Sequence, residues 1–296
     1  MEVARPRSFA ALRMTDALPA RERLPKEMRG ALSMNKKLTI RELVDSKGKR
    51  KITMTNAADA NTAKACELAG IDIVGGRGGR TVEQMCAVLD DLRRAIPNTL
   101  LAFNLPAADA WVSETEAVRC ALLAVKHGAD VVYSSGNHIS RFRAMAELGI
   151  PCVGHIGLVP AKATWLGGYR AVGKTCEEAL KVYEDALAFQ DAGAIAVEME
   201  CVPEKVAAEI TKRLKILTIS LGSGRHCDGQ FLYSCDLLGT HDDHYPRHVK
   251  KYCDFFGDSV KAFRCFKEEV DSGEFPAEKN VIKPNESEYE EFLRRI

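Results

Sequence analysis

Four times in this chain a helical pattern stops at glycine and passes directly into a short apolar run. The four places are Leu68-Ala69-Gly70-Ile71, Lys126-His127-Gly128-Ala129, Glu147-Leu148-Gly149-Ile150 and Asp191-Ala192-Gly193-Ala194. Glycine takes the left-handed backbone that closes a helix at no steric cost, and the run that follows is short and β-prone. The repeated unit is therefore helix, tight turn, parallel strand. Iterated, it predicts a (β/α)8 TIM barrel, an α/β fold whose chemistry gathers at the C-terminal ends of the strands.

Eight strands are predicted, near Lys51 to Thr55, Ile71 to Gly75, Leu100 to Asn104, Val131 to Ser134, Pro151 to His155, Ala194 to Glu200, Leu217 to Leu221 and Phe231 to Asp236. Between them, Val82, Met85, Leu89 and Leu92 mark one apolar helix face, and Val118, Ala121, Leu122 and Val125 another. Ser113 with Glu116, and Thr175 with Glu178, carry the spacing of capping boxes. The link between the last two strands is short and glycine-rich, too short for a seventh helix of any length. Past the barrel, Pro246 to Val270 reads as helix and Asp271 onward as a polar tail. With 296 residues, 46% of them hydrophobic, residues 34–296 suffice for a single barrel domain with C-terminal helices.

Residues 1–33 read differently. They hold six arginines and no sustained periodicity, and they are expected to be a disordered leader, or to precede a true start at Met34. A net charge of +1 gives no global field for nucleic acid or an anionic membrane, and no apolar stretch is long enough to span a bilayer. Small molecules are the expected partners. The ten cysteines include no Cys-x-x-Cys pair, and several fall in apolar periodic runs, which points to a reducing, cytoplasmic setting.

The motifs at the strand ends are more specific. Val153-Gly154-His155-Ile156-Gly157-Leu158-Val159-Pro160, Gly167-Gly168-Tyr169-Arg170, Glu200-Cys201-Val202-Pro203, Gly222-Ser223-Gly224 with Asp228-Gly229-Gln230, and the closing Ser272 to Pro276 resemble the ketopantoate hydroxymethyltransferase family, within the phosphoenolpyruvate mutase and isocitrate lyase superfamily. The resemblance runs from about Leu38 to Pro276. It implies a barrel in a decameric ring, a homo-oligomer that uses Mg2+ and 5,10-methylenetetrahydrofolate to add a hydroxymethyl group to the 2-oxo acid 3-methyl-2-oxobutanoate, an early step of pantothenate biosynthesis. On that resemblance Glu200 is the base that moves the proton beside the ketone, and His155 is its partner at the end of the fifth strand.

Elsewhere the residues depart from the family's pattern. The family's Val-Gly-Asp-Ser is here Val74-Gly75-Gly76-Arg77, its Asp-Leu-Pro is Asn104-Leu105-Pro106, and its Lys-x-Glu is Tyr133-Ser134-Ser135. The anionic metal positions have thus become Gly76, Asn104 and Ser135, which offer a hard cation no carboxylate. Arg77 is a candidate for binding a substrate carboxylate in the metal's stead, beside Gly75, Asn104, Tyr133 and Ser135. Backbone amides at Gly222 and Gly224 are candidates for the same task. Tyr133 and Tyr169 can supply hydroxyl donors to an enolate oxygen. Glu198, two residues before Glu200, shares its strand face, where a structural role is the favoured reading. His241, Asp242 and Asp243 have the residue types of a relocated metal site, with a solvated acidic loop as the plainer alternative.

Three functional readings stay open at this level: the family reaction, a metal-independent lyase, aldolase or transferase reaction on another 2-oxo acid, and a catalytically silent paralogue that binds a small acid or an active relative.

Overall fold

All four helix-ending glycines take the left-handed backbone, with φ of 78° at Gly70, 102° at Gly128, 75° at Gly149 and 89° at Gly193. Each is followed by a strand, as the local signal requires. The computed structural model describes residues 36–76, 78, 81–133, 136 and 138–296. The leader expected over residues 1–33, and the candidates Arg77 and Ser135, lie outside the described residues. Contacts divide the chain into two compact units, one ending at Ser234 and one running from Cys235 to Ile296.

The first unit is a closed barrel of eight parallel strands in sequential order. The strands are β1 (Ile52–Ala57), β2 (Ile73–Gly76), β3 (Leu100–Asn104), β4 (Val131–Tyr133), β5 (Cys152–Gly157), β6 (Ala196–Glu200), β7 (Leu217–Leu221) and β8 (Gly229–Leu232). The principal intervening helices are Ala60–Ala69, Val82–Ala95, Glu114–Lys126, Ile139–Glu147, Cys176–Asp191 and Glu204–Arg213. No helix separates β7 from β8, as the short glycine-rich link predicts.

The alternation of a strand sorts the side chains into two cores. Ile52, Met54, Ile73, Leu100, Ala102, Val131, Tyr133, Val153, Ala196, Leu217, Ile219 and Phe231 fill the barrel. Val74, Leu101, Phe103, Val132, Ile156, Val197 and Met199 face the helices. Leu43, on the preceding helix Ile40–Val44, joins the inner core. Near it, Lys47 Nζ donates to Asp228 Oδ2 at 2.7 Å, and Thr218 donates to the same oxygen from its backbone N–H (2.9 Å) and its hydroxyl (3.0 Å). Among the described residues, no helix is long and apolar enough to cross a membrane.

Both expected capping boxes form as N-caps only, since Glu116 turns to Arg119 and Glu178 to Arg170 and the Gly173 and Lys174 N–H groups. Ser113 Oγ accepts from the Glu116 N–H at 3.2 Å, and Thr175 Oγ1 accepts from the Glu178 N–H at 3.2 Å. Ser113→Ala is expected to cost about 1 kcal/mol, read as a shift in urea midpoint with unchanged slope.

Two sequence expectations need correction. The eighth strand lies at Gly229–Leu232, earlier than the expected Phe231 to Asp236, and Ser234–Leu238 is helical. The strand opens on a glycine because a Cβ there would lie 2.7 Å from Ile219 Cδ1 and 3.1 Å from the Ile52 backbone oxygen. The helix expected over Pro246 to Val270 spans Phe255–Ser272 instead, because the chain before it folds back: Tyr252 N–H donates to the Leu237 carbonyl at 2.9 Å. The polar tail also contains a helix, Glu286–Arg295, capped by Asn285.

Candidate active site

The pair suggested by the motifs comes together at the C-terminal ends of β5 and β6. Gly154 faces outward, where a Cβ would lie 2.6 Å from the Phe189 ring, so the helix Cys176–Asp191 sits tightly on this strand. His155, next in the alternation, therefore enters the barrel. Two residues on, Gly157 has φ 83°, and a Cβ there would lie 2.4 Å from the Glu200 carbonyl oxygen. Only glycine allows the two strand ends this approach, which Leu158 N–H secures by donating to that carbonyl at 2.9 Å. Cys201, immediately after Glu200, holds φ at 51°, an uncommon value for a residue with a side chain. Strand β6 ends abruptly there, with Glu200 at its rim.

His155 Nε2 lies 3.0 Å from Glu200 Oε2 and 3.5 Å from Glu198 Oε1. His155 and Glu198 are Cα partners across β5 and β6, which brings Glu198 into the barrel at the same level. Glu198 is 2% exposed and His155 4%. Glu200 is the more open of the two carboxylates, its side chain 13% exposed against 2% for Glu198. Burial pushes the Glu198 carboxyl well above the ordinary carboxylate range, and the charge of Glu200 pushes it the same way. Among the described residues, no lysine or arginine forms an ion pair with either carboxylate.

A cavity of about 150 Å³ opens beside this group, lined by Met54, Asn56, Gly75, Gly76, Ala102, Asn104, Tyr133, His155, Pro160, Glu198, Phe231 and Tyr233. It is smaller than the roughly 300–1,000 Å³ of a drug-sized pocket and suits a small molecule. The Tyr133 side chain lines it, with its hydroxyl buried and without a hydrogen-bond partner among the described residues, and the Tyr133 and His155 rings meet edge-on at 6.5 Å. Asn56 Oδ1 accepts from the Ser234 N–H at 2.8 Å, which fixes the amide against the wall.

The other sequence candidates divide. Gly75, Asn104 and Tyr133 line the cavity with His155, whereas Glu200 is not among the lining residues and is joined to the cavity wall through its hydrogen bond to His155. Gly222 and Gly224 are not among its lining residues, and the loop they flank braces β6: Ser223 Oγ donates to the Met199 carbonyl at 2.7 Å and accepts from Val202 N–H at 2.9 Å. Tyr169 is 78% exposed. In the second unit, His241 pairs with Asp236 at 3.0 Å and stacks on Tyr245, so the group that assembles is Cys235, Asp236 and His241, without Asp242 or Asp243.

Residues 37–278 match the family model for ketopantoate hydroxymethyltransferase. The chain belongs to the ketopantoate hydroxymethyltransferase family. It is 36% identical over 261 residues to the 3-methyl-2-oxobutanoate hydroxymethyltransferase of Kosmotoga olearia, covering 83% of this chain and 98% of that protein. To the enzyme of the same name from Acetivibrio thermocellus it is 39% identical over 268 residues, 84% of this chain and 94% of that one. Its fold is shared with 2,3-dimethylmalate lyase (TM-score 0.53, 14% identity, 83% of this chain and 90% of that one). It is shared equally with phosphonopyruvate hydrolase solved with oxalate and Mg2+ (TM-score 0.52, 12% identity, 87% and 98%). The first of these neighbours is a member of the phosphoenolpyruvate mutase and isocitrate lyase superfamily.

The donor set where a ketopantoate hydroxymethyltransferase is expected to hold Mg2+ does not suit that ion in this member. Asn104 is neutral, position 135 is serine, and Gly76 has no side chain. Gly76 is also turned away: a Cβ on it would lie 2.7 Å from both Leu92 Cδ1 and Phe103 Cδ2, in the layer between barrel and helices. A hard cation needs anionic oxygens in number, and among the described residues this wall of the cavity provides none. Across the cavity, the nitrogen and two carboxylate oxygens of His155, Glu198 and Glu200 lie within 4.8 Å of one another. A trio of this kind can hold a cation or move a proton, and the contact it makes in this structure is the 3.0 Å hydrogen bond between His155 and Glu200.

Proposed function

We propose that this enzyme removes the proton from the carbon beside the ketone of a small 2-oxo acid and directs the resulting enolate at a one-carbon electrophile, the chemistry of hydroxymethyl transfer to 3-methyl-2-oxobutanoate. The observation that carries the reading is the His155 to Glu200 hydrogen bond of 3.0 Å beside a small, half-open cavity at the barrel's C-terminal mouth. Family membership supports the substrate class.

In the tautomer protonated at Nε2, His155 donates to Glu200 Oε2 and holds that carboxylate in one orientation. The other carboxylate oxygen remains available to take the substrate proton. The C–H electron pair becomes the enolate C=C bond, and the carbonyl π pair moves onto oxygen. After the new carbon–carbon bond forms, the ketone is restored. The apolar walls from Met54, Ala102 and Phe231 keep water from the carbanion. At about 150 Å³ the cavity matches a small 2-oxo acid.

A second reading, a related metal-independent carbon–carbon reaction on another 2-oxo acid, is favoured by the neutral residues at 76, 104 and 135. It shares every step up to the enolate. Both predict that chelator-treated protein exchanges the proton at C3 of 3-methyl-2-oxobutanoate, or the methyl protons of pyruvate, for deuterium in D2O, followed by 1H NMR. No exchange with any small 2-oxo acid would leave the silent, ligand-binding reading standing.

A further inference from the structure

An enolate needs its negative oxygen stabilised, and the residues expected to do this through a cation are absent from the β2 and β3 side of the cavity. Two other groups face the same space. The Tyr133 hydroxyl is buried, 8% of the residue exposed, and meets no hydrogen-bond partner among the described residues. Glu198 lines the cavity too, buried at 2% exposure, with no guanidinium or ammonium partner among the described residues and the His155 nitrogen 3.5 Å away.

We propose that Tyr133 and Glu198 form a metal-free oxyanion site, in which the Tyr133 O–H and the Glu198 carboxylic O–H donate to the enolate oxygen of the substrate while Glu200 takes the carbon-bound proton. The inference rests on the enolate reading above and adds the groups that hold the charge. No atom or electron is left over: the base gains one proton, the carbon loses it, and the two donors keep theirs in hydrogen bonds to the oxygen that becomes negative. A carboxylic acid donates in this way only in its protonated form, and burial, with no cation beside it among the described residues, shifts Glu198 toward that form. The two carboxylates, two residues apart on one strand, thereby take opposite tasks. The open one accepts the proton from carbon; the closed one donates a hydrogen bond to the oxygen. Both donors are preorganised, Tyr133 by β4 and Glu198 by its register with His155, so neither must leave water at the moment of reaction.

The test uses the full chain after chelator treatment, with oxalate as a planar stand-in for the enolate and calorimetry as the readout. Tyr133→Phe and Glu198→Met each remove one donor at nearly constant volume, whereas Glu198→Gln keeps an N–H donor. The expected result is that oxalate binds without added metal, that Tyr133→Phe and Glu198→Met each weaken it about 10- to 100-fold, and that Glu198→Gln recovers part of the loss. The deuterium-exchange rate should fall in the same order. Tight oxalate binding unchanged in Tyr133→Phe and Glu198→Met overturns the proposal. So does binding that requires added Mg2+, Mn2+ or Zn2+, because the charge would then be held by a cation. In either case, exchange abolished by Glu200→Gln would leave the enolate reading intact. Absence of both exchange and oxalate binding in the unsubstituted protein removes both.

Discussion

Glu200→Gln should lower the deuterium-exchange rate about 10²- to 10⁴-fold, the range supplied by a positioned general base, while leaving oxalate affinity close to that of the unsubstituted protein. Glutamine keeps the volume of glutamate and still offers an oxygen to His155 Nε2, so the 3.0 Å contact survives. What it loses is the basic oxygen. The same substitution removes a negative charge next to buried Glu198, whose carboxyl that charge helps to hold high. Glu198 should therefore titrate nearer the ordinary range, and the variant should melt at an equal or higher temperature. Loss of rate together with retained stability distinguishes a chemical role from a structural one. An exchange rate within threefold of the unsubstituted enzyme would exclude Glu200 as the base.

The barrel was legible because its signals are local. A glycine closing a helix before an apolar run needs only its own neighbours, and all four such glycines behave as read. Strand β8 was misplaced for the opposite reason. Its opening residue, Gly229, is chosen by the side chain of Ile219 and the backbone of Ile52, which are remote in sequence. The site follows the same division. His155 and Glu200 stand in motifs and could be named from the chain alone. Glu198 was equally visible as an inward position of β6, but its pairing with His155 depends on the register between two strands. Tyr133 was visible only as a residue type, since an unsatisfied hydroxyl is a property of the surroundings. Gly76 shows the limit most plainly. Four residues of β2 do not reveal in sequence which of two adjacent glycines faces the cavity.

That ambiguity can be tested by putting back the missing carboxylate. On this backbone Gly76→Asp is expected to destabilise the barrel unit by about 4 kcal/mol or more, combining the cost of overpacking with that of an unpaired buried charge. The new Cβ would stand 2.7 Å from Leu92 Cδ1 and from the Phe103 ring, both side chains in the buried outer layer. Leucine can rotate its methyl away, but the Phe103 ring has no such freedom without opening the packing around it. The carboxylate would then sit among the apolar side chains of Leu92 and Phe103, with no cation beside it among the described residues. For a unit of this size the loss corresponds to a fall in melting temperature on the order of 10 °C. Gly75→Asp is the contrasting variant. A Cβ at Gly75 meets Met54 Cε at 3.5 Å and Asn56 Cβ at 3.6 Å, ordinary contacts on the cavity side. Its carboxylate therefore projects toward the cavity, the barrel should stay close to its original stability, and Mg2+ should raise its melting temperature where it does not raise that of the unsubstituted chain. If instead Gly76→Asp folds normally and gains Mg2+-dependent stabilisation, the end of β2 turns over when a carboxylate is present. The loss of the cation would then be a consequence of residue identity alone, with the strand geometry still suited to holding it.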